Sequence, residues 1–211
     1  MAYNTKTLGR ELDWDYNLVR AEELDCIFVH LPKNGGISVN TALFNGLGGG
    51  HIPLFLYLWL YGARDFDRMF KFAFSRHPVA RVKSAFAFLR GGGITEDDAA
   101  FGTRWIGADA RFDAFVQEML PQQPVINSLH FRPQSFFLDD PRTGRSGVDF
   151  LGRVETLAED YERVTQRLGI ENTLQVLNRS ERRETVEMES PASRRVIEDL
   201  YRRDFEQLDY D

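Results

Sequence analysis

The chain is poor in several features that mark whole protein classes. Its single cysteine, Cys26, excludes an intramolecular disulfide framework and a cysteine-cluster metal site. Its most apolar stretch, residues 52–61, falls well short of the roughly 20 residues that a bilayer span requires. Residues 1–20 are polar, carry charges of both signs and lack an apolar core followed by a small-residue cleavage site, so no secretory signal is read there. No internal repeat and no long linker divides the sequence. A single domain over residues 1–211 is therefore expected, with 1–24 as an N-terminal extension and the cytoplasm as its compartment. Positive charge is also short. Twenty-six Lys and Arg against 32 Asp and Glu leave a net charge of −6, which argues against broad nucleic-acid binding while leaving room for a local basic pocket.

What is present describes a folded, soluble chain: 211 residues, 43% hydrophobic, 27% charged and with 17 phenylalanines. The apolar run Cys26-Ile27-Phe28-Val29-His30 reads as a buried strand, stopped by Pro32 and the Gly35-Gly36 pair, with a helix expected over 38–44. A second strand is expected over 70–74 and a helix from Pro78, where a missing N–H costs nothing. Gly91-Gly92-Gly93 ends that helix, and a polar insertion follows to about Asp109, read as a flexible surface loop without function, with a mobile lid over a ligand site as the other reading. A further helix is expected over 111–120, a third strand over 150–154, and an apolar stripe of Leu157, Tyr161, Val164 and Leu168 closed by Gly169. A fourth strand is expected over 174–177 and a last helix from Pro191. Strands alternating with helices predict an α/β fold with a mostly parallel sheet covered on both faces. Such sheets bind ligands at the carboxyl ends of their strands.

Two segments have the strand–turn–helix form that this requires. In the first, residues 31–38, two adjacent glycines let the backbone approach a ligand, and the free N–H groups of the first helical turn favour an anion. Lys33 adds a positive charge and Ser38 a hydroxyl, which suits a phosphate or sulfate; an ordinary glycine turn with a solvated lysine fits the same residues. The lysine precedes the glycines, so this is not the G-x-x-x-x-G-K-[ST] nucleotide loop. In the second segment Arg76 ends a strand just before a helix, where its guanidinium can grip a phosphate in two places or serve as an ion-pair partner. Ser84 lies on that helix, on the face of Arg81 and Phe88.

Together, "IFVHLPKNGGISV" and "FKFAFSRHPVARVKSAF" resemble the paired signatures of sulfotransferases that use 3′-phosphoadenylyl sulfate (PAPS), nearest to the carbohydrate enzymes of the chondroitin 4-O and heparan 2-O type. The blocks "LHFRPQSFFLDD", "DFLGRVETLAEDYERV", "LQVLNRS" and "IEDLYRRDFEQLDYD" extend the resemblance to about residues 26–211. The resemblance implies a P-loop-like three-layer fold and sulfuryl transfer from PAPS to an acceptor hydroxyl on a carbohydrate or glycoside. The product would be adenosine 3′,5′-bisphosphate (PAP), with no metal and no nucleic-acid partner. It assigns Lys33, Asn34, Gly35, Gly36, Ile37 and Ser38 to the 5′-phosphosulfate loop, with Lys33 on the leaving phosphate, and Arg76 and Ser84 to the 3′-phosphate. Arg182, with Arg179 and Arg183 beside it, follows the last expected strand and is a further phosphate contact.

This chain departs from the family pattern in having Asn34 and Ile37 where threonines are common, Val79-Ala80 before Arg81, and Phe86 for the usual tyrosine. Losing a hydroxyl at Ile37 removes one phosphate contact of about 1–3 kcal/mol, so donor binding is expected to be weakened. For the base that takes the acceptor's proton, the resemblance implies a histidine in the interval of His51, with His130 as its rival. His51, Arg132 and Gln134 are the expected acceptor contacts, though Arg132 and Gln134 are equally suited to bracing the loop. His30 is expected to support the first turn and His77 the second. A nucleotide kinase of related fold and a non-catalytic PAP-binding module are the alternative readings.

Overall fold

The computed structural model describes residues 18–44, 50–172, 174 and 189–211. Within the expected N-terminal extension, helix α1 (Leu18–Glu23) packs on strand β1 (Cys26–Val29), with Ala21 buried between them. Helix α2 (Gly36–Phe44) follows the first turn and starts two residues earlier than expected, at the second glycine. Helix α3 (Leu54–Arg68) then leads into strand β2 (Phe70–Ser75), and helix α4 (Pro78–Arg90) leaves it with Pro78 in its first turn.

The polar insertion is not a loop. Helix α5 (Glu96–Phe101) runs into a wider π-helical turn, Gly102–Ile106, and the whole segment is docked on α4. The reason is local: Thr95 and Asp98 form a reciprocal capping box, each side chain accepting from the other residue's backbone N–H. Gly102 lies so close to the Leu89 carbonyl that any side chain there would collide with it. Short helices α6 (Phe112–Ala114), α7 (Gln123–Ile126) and α8 (Gln134–Leu138) follow, with a second π-helical turn, Phe115–Met119, after α6. Strands β3 (Asp139–Asp140) and β4 (Arg145–Ser146) pair as a small antiparallel ribbon before strand β5 (Phe150–Arg153).

Helix α9 (Leu157–Leu168) carries the predicted apolar stripe and ends at Gly169 in the left-handed conformation (φ 66°). The last helix is broken into α10 (Pro191–Leu200) and α11 (Arg202–Leu208). Tyr201 at the break is fully buried, and its hydroxyl donates to the Phe131 carbonyl. Of the fourth expected strand, Leu174 is not in a strand, and 175–177 lie outside the described residues.

Among the described residues the main sheet has three strands in the order β1-β2-β5, all parallel, with Cys26 opposite Phe70 and Phe72 opposite Phe150. The fold is thus α/β, with a parallel sheet flanked by helices. All four residues of β1 are buried, as a sheet covered on both faces demands. Lys71 interrupts the apolar run of β2. Its buried amine donates to the Phe66 and Met69 carbonyls (3.2 and 2.8 Å) and pairs with Asp149 (3.0 Å), which offsets its loss of water. No helix among the described residues is long and apolar enough to cross a membrane. Because the strands are parallel, the turns that leave β1, β2 and β5 all gather at one edge of the sheet.

Candidate active site

The turn after β1 has an unusual backbone. Lys33 and Gly35 both have positive φ, 68° and 73°, and for lysine that conformation costs about 1–2 kcal/mol. A side chain on Gly36 would run into the His30 imidazole, which Asn40 holds by a 3.3 Å contact to Nδ1. His30 therefore supports the turn from beneath, as expected. The N–H groups of Gly36 and Ile37, at the start of α2, have no backbone acceptor among the described residues, which is the condition for donating to an anion. Ser38 is buried, and its own N–H closes on the Gly35 carbonyl at 3.2 Å.

The second turn is pressed against the first. Arg76 donates from Nη1 to the Lys33 carbonyl at 3.1 Å. Asn34 turns its side chain inward, donating to the Phe74 carbonyl and to Gln134 Oε1, both at 2.7 Å. Gln134 completes the join, accepting from the Arg76 N–H at 3.0 Å and donating to the Arg76 carbonyl at 2.8 Å. Gln134 is 0% exposed, and of its two expected roles, acceptor contact and bracing, the structure shows the brace: both ends of its amide are spent on tying the two turns together. Asp204 in turn accepts from the backbone of Gln134 and Ser135 at 2.7 and 2.8 Å. Asn34 is likewise a brace rather than a side chain lining the loop.

Further along, His77 donates its backbone N–H to Glu155 at 2.9 Å, and Tyr210 reaches both Ser75 and Glu155 at 3.1 Å. Ser84 is half-buried on α4, while Arg81, one turn earlier, is fully buried and donates to the carbonyls of His130, Phe131 and Arg132. That grip fixes the segment that carries His130. Arg132 itself donates to the Asn127 carbonyl and lies 4.4 Å over the Phe136 ring, so it braces its own loop. Arg179, Arg182 and Arg183 lie outside the described residues.

Residues 56–211 match the family model described as the Sulfotransferase family, more than half of the chain. The chain belongs to the sulfotransferase family. Sulfuryl transfer to an acceptor is the activity of that family, and a kinase reading has no such support. No curated protein and no solved structure matches the chain. The matched range begins after the Lys33 turn, so membership rests on the Arg76 side of the site, and geometry alone ties the first turn to it.

Lys33, His51 and His130 of this sulfotransferase are linked by ring contacts around Phe88. The Lys33 amine sits 3.5 Å over the Phe88 ring. The His130 ring is 5.1 Å from Phe88 and 6.3 Å from His51. Burial, aided by the Arg76 guanidinium, pulls the Lys33 amine down to about 8. Burial also pulls His51 down to about 4, against the opposing pull of its bond to the His30 carbonyl. That 2.9 Å bond requires the proton on Nδ1, which leaves the Nε2 lone pair without a partner among the described residues. His130 is arranged the other way round. Its Nε2 meets Asp98 Oδ1 at 2.9 Å, and its Nδ1 is buried with no partner.

Asp98, Phe88 and Glu155 were not anticipated from the sequence. For Asp98 a signal exists in the Thr95-x-x-Asp98 spacing, which marks a helix start but does not say that one carboxylate oxygen reaches out of the helix.

Proposed function

We propose that this sulfotransferase moves the sulfuryl group of PAPS to a hydroxyl on a carbohydrate or glycoside. The observation that carries the reading is the Arg76–Lys33 contact, with Asn34 and Gln134 behind it, which makes two anion-suited turns one continuous surface. A donor with phosphates at both ends of one nucleoside fits that surface. Bound there, PAPS supplies an activated sulfuryl group on a phosphate leaving group.

Gly36 and Ile37 would donate backbone N–H groups to the 5′ end, and Arg76 with Ser84 would hold the 3′-phosphate. Lys33 is assigned to the leaving phosphate, because a half-desolvated ammonium stabilises developing negative charge more strongly than a hydrated one. His51 is assigned as the base. It is neutral at pH 7, its tautomer is fixed by the His30 carbonyl, and its Nε2 lone pair has no partner among the described residues, whereas His130 has one nitrogen on Asp98 and the other buried. The helix that starts three residues after His51 presents Phe55, whose ring meets Phe136 at 6.0 Å beneath Arg132. Aromatic faces beside a guanidinium suit the mixed apolar and hydroxylated faces of a sugar, which favours a carbohydrate acceptor.

The test is calorimetric titration with PAP, repeated in Lys33→Ala and Arg76→Ala, followed by an acceptor screen with labelled PAPS. Saturable binding that weakens in both variants is expected. No binding to the parent protein at millimolar PAP removes the reading. Binding without turnover on any acceptor replaces it with a non-catalytic module.

A further inference from the structure

We infer that the 91–109 segment is a working part of the site, with Asp98 as a positioning residue that orients His130. The carboxylate is divided between two tasks. Oδ2 accepts from the N–H groups of Ile94 and Thr95, both at 3.1 Å, which holds the start of α5. Oδ1 reaches across 32 residues of sequence to His130 Nε2. A capping box needs only the first of these. The glycine run before it makes the second geometrically feasible: Gly93 has φ 64°, donates to the Phe88 carbonyl at 2.9 Å, and has no side chain where the Asp98 Cβ sits. The turn is thereby folded back on α4 beside the Phe88 ring that carries Lys33.

The charges that face this point are those of Lys33 and Arg81, the imidazoles of His51 and His130, and Asp98. Lys33 and Arg81 both oppose protonation of His130, and Arg76 opposes the charge on Lys33. Asp98 favours the charged form of all three groups, Lys33, His51 and His130. A carboxylate beside an anion site would ordinarily repel the ligand. Here its Oδ1 ties Nε2 of His130 so that this imidazole does not compete with His51. The catalytic consequence rests on the sulfuryl-transfer reading, but the tautomer does not.

Nitrogen NMR of histidine-labelled parent protein provides the first test. His130 is expected as the Nε2–H tautomer, and the Nδ1–H tautomer would overturn the inference without any variant. The second compares Asp98→Asn, which keeps the side chain's shape but has one acceptor oxygen for the two that Asp98 uses, with Thr95→Ala, which weakens the cap but keeps the carboxylate. Asp98→Asn should let the Nδ1–H tautomer of His130 appear and lower turnover, while Thr95→Ala moves neither. A His130 tautomer unchanged in Asp98→Asn, or changed equally by both substitutions, would reduce Asp98 to a helix cap. Absence of PAP binding in the parent protein would instead sink the proposed function and leave the NMR result standing.

Discussion

The two turns at the sheet edge spend their backbone groups in opposite ways. After β2, the Arg76 and His77 N–H groups and the Arg76 carbonyl are all taken by side chains from distant parts of the chain. After β1, the N–H groups at the start of α2 have no backbone acceptor among the described residues, while the chain bears a positive φ at Lys33. The second turn is therefore a rigid mount that can offer a ligand only its side chain. The first is a strained cradle that offers backbone as well. Strain of this kind persists only where the surroundings over-determine it, and here the surroundings are Asn34, Gln134 and His30.

The comparison can be broken most sharply at Lys33. Lys33→Ala should lower kcat about 10²–10³-fold with the protein still folded, measured as turnover of labelled PAPS alongside thermal melting. Gln134→Ala should do the reverse. It takes one of two acceptors from the Asn34 amide and leaves the Arg76 N–H and the Arg76 carbonyl without their side-chain partner, and should lower stability by about 2–4 kcal/mol in urea unfolding before chemistry is tested. Arg76→Ala should weaken PAP binding about 10- to 100-fold, with a smaller loss of stability than Gln134→Ala, if the second turn contributes only its side chain. Ile37→Thr should tighten PAP several-fold by adding a hydroxyl to the cradle, the smallest of these effects.

A pH series separates the turns by sign. Turnover should fall as pH rises through about 8, where the Lys33 amine loses its proton. Bare stability should move the other way over that interval. The unfolded chain, with lysine near its ordinary value of 10.5, holds more protons there than the folded one, so stability rises with pH. On the acid side His51, at about 4 when folded against 6.5 ordinarily, makes stability fall as pH drops from 6.5 towards 4. His51→Ala should flatten that acid slope as well as abolish turnover, and retention of full turnover would return the base to His130.

Much of the frame was legible in the residues. The apolar runs of β1 and β2, the stop at Gly35-Gly36, Pro78 at a helix start and Gly169 at a helix end are local matters of burial and φ, and each occurs near its expected place. The charges of the 91–109 segment suggest solvent, whereas a capping box and close contact with α4 make it helical. For Gln134 the sequence leaves acceptor contact and bracing equally open, because a polar residue in a site-forming block looks the same whether it faces a ligand or the protein interior.

The sequence by itself determined the α/β alternation, the two anion-suited turns and the sulfotransferase signature, since these depend on near neighbours and on which residues must leave water. Only the tertiary structure decided that Gln134 reaches back 100 residues to Asn34, that Asp98 reaches His130, and that His51 Nε2 has no partner among the described residues while His130 has Nε2 on Asp98 and Nδ1 buried. Hydrogen bonds of that range pair groups brought together by the packing of the whole core, and no local pattern of residues encodes their partners.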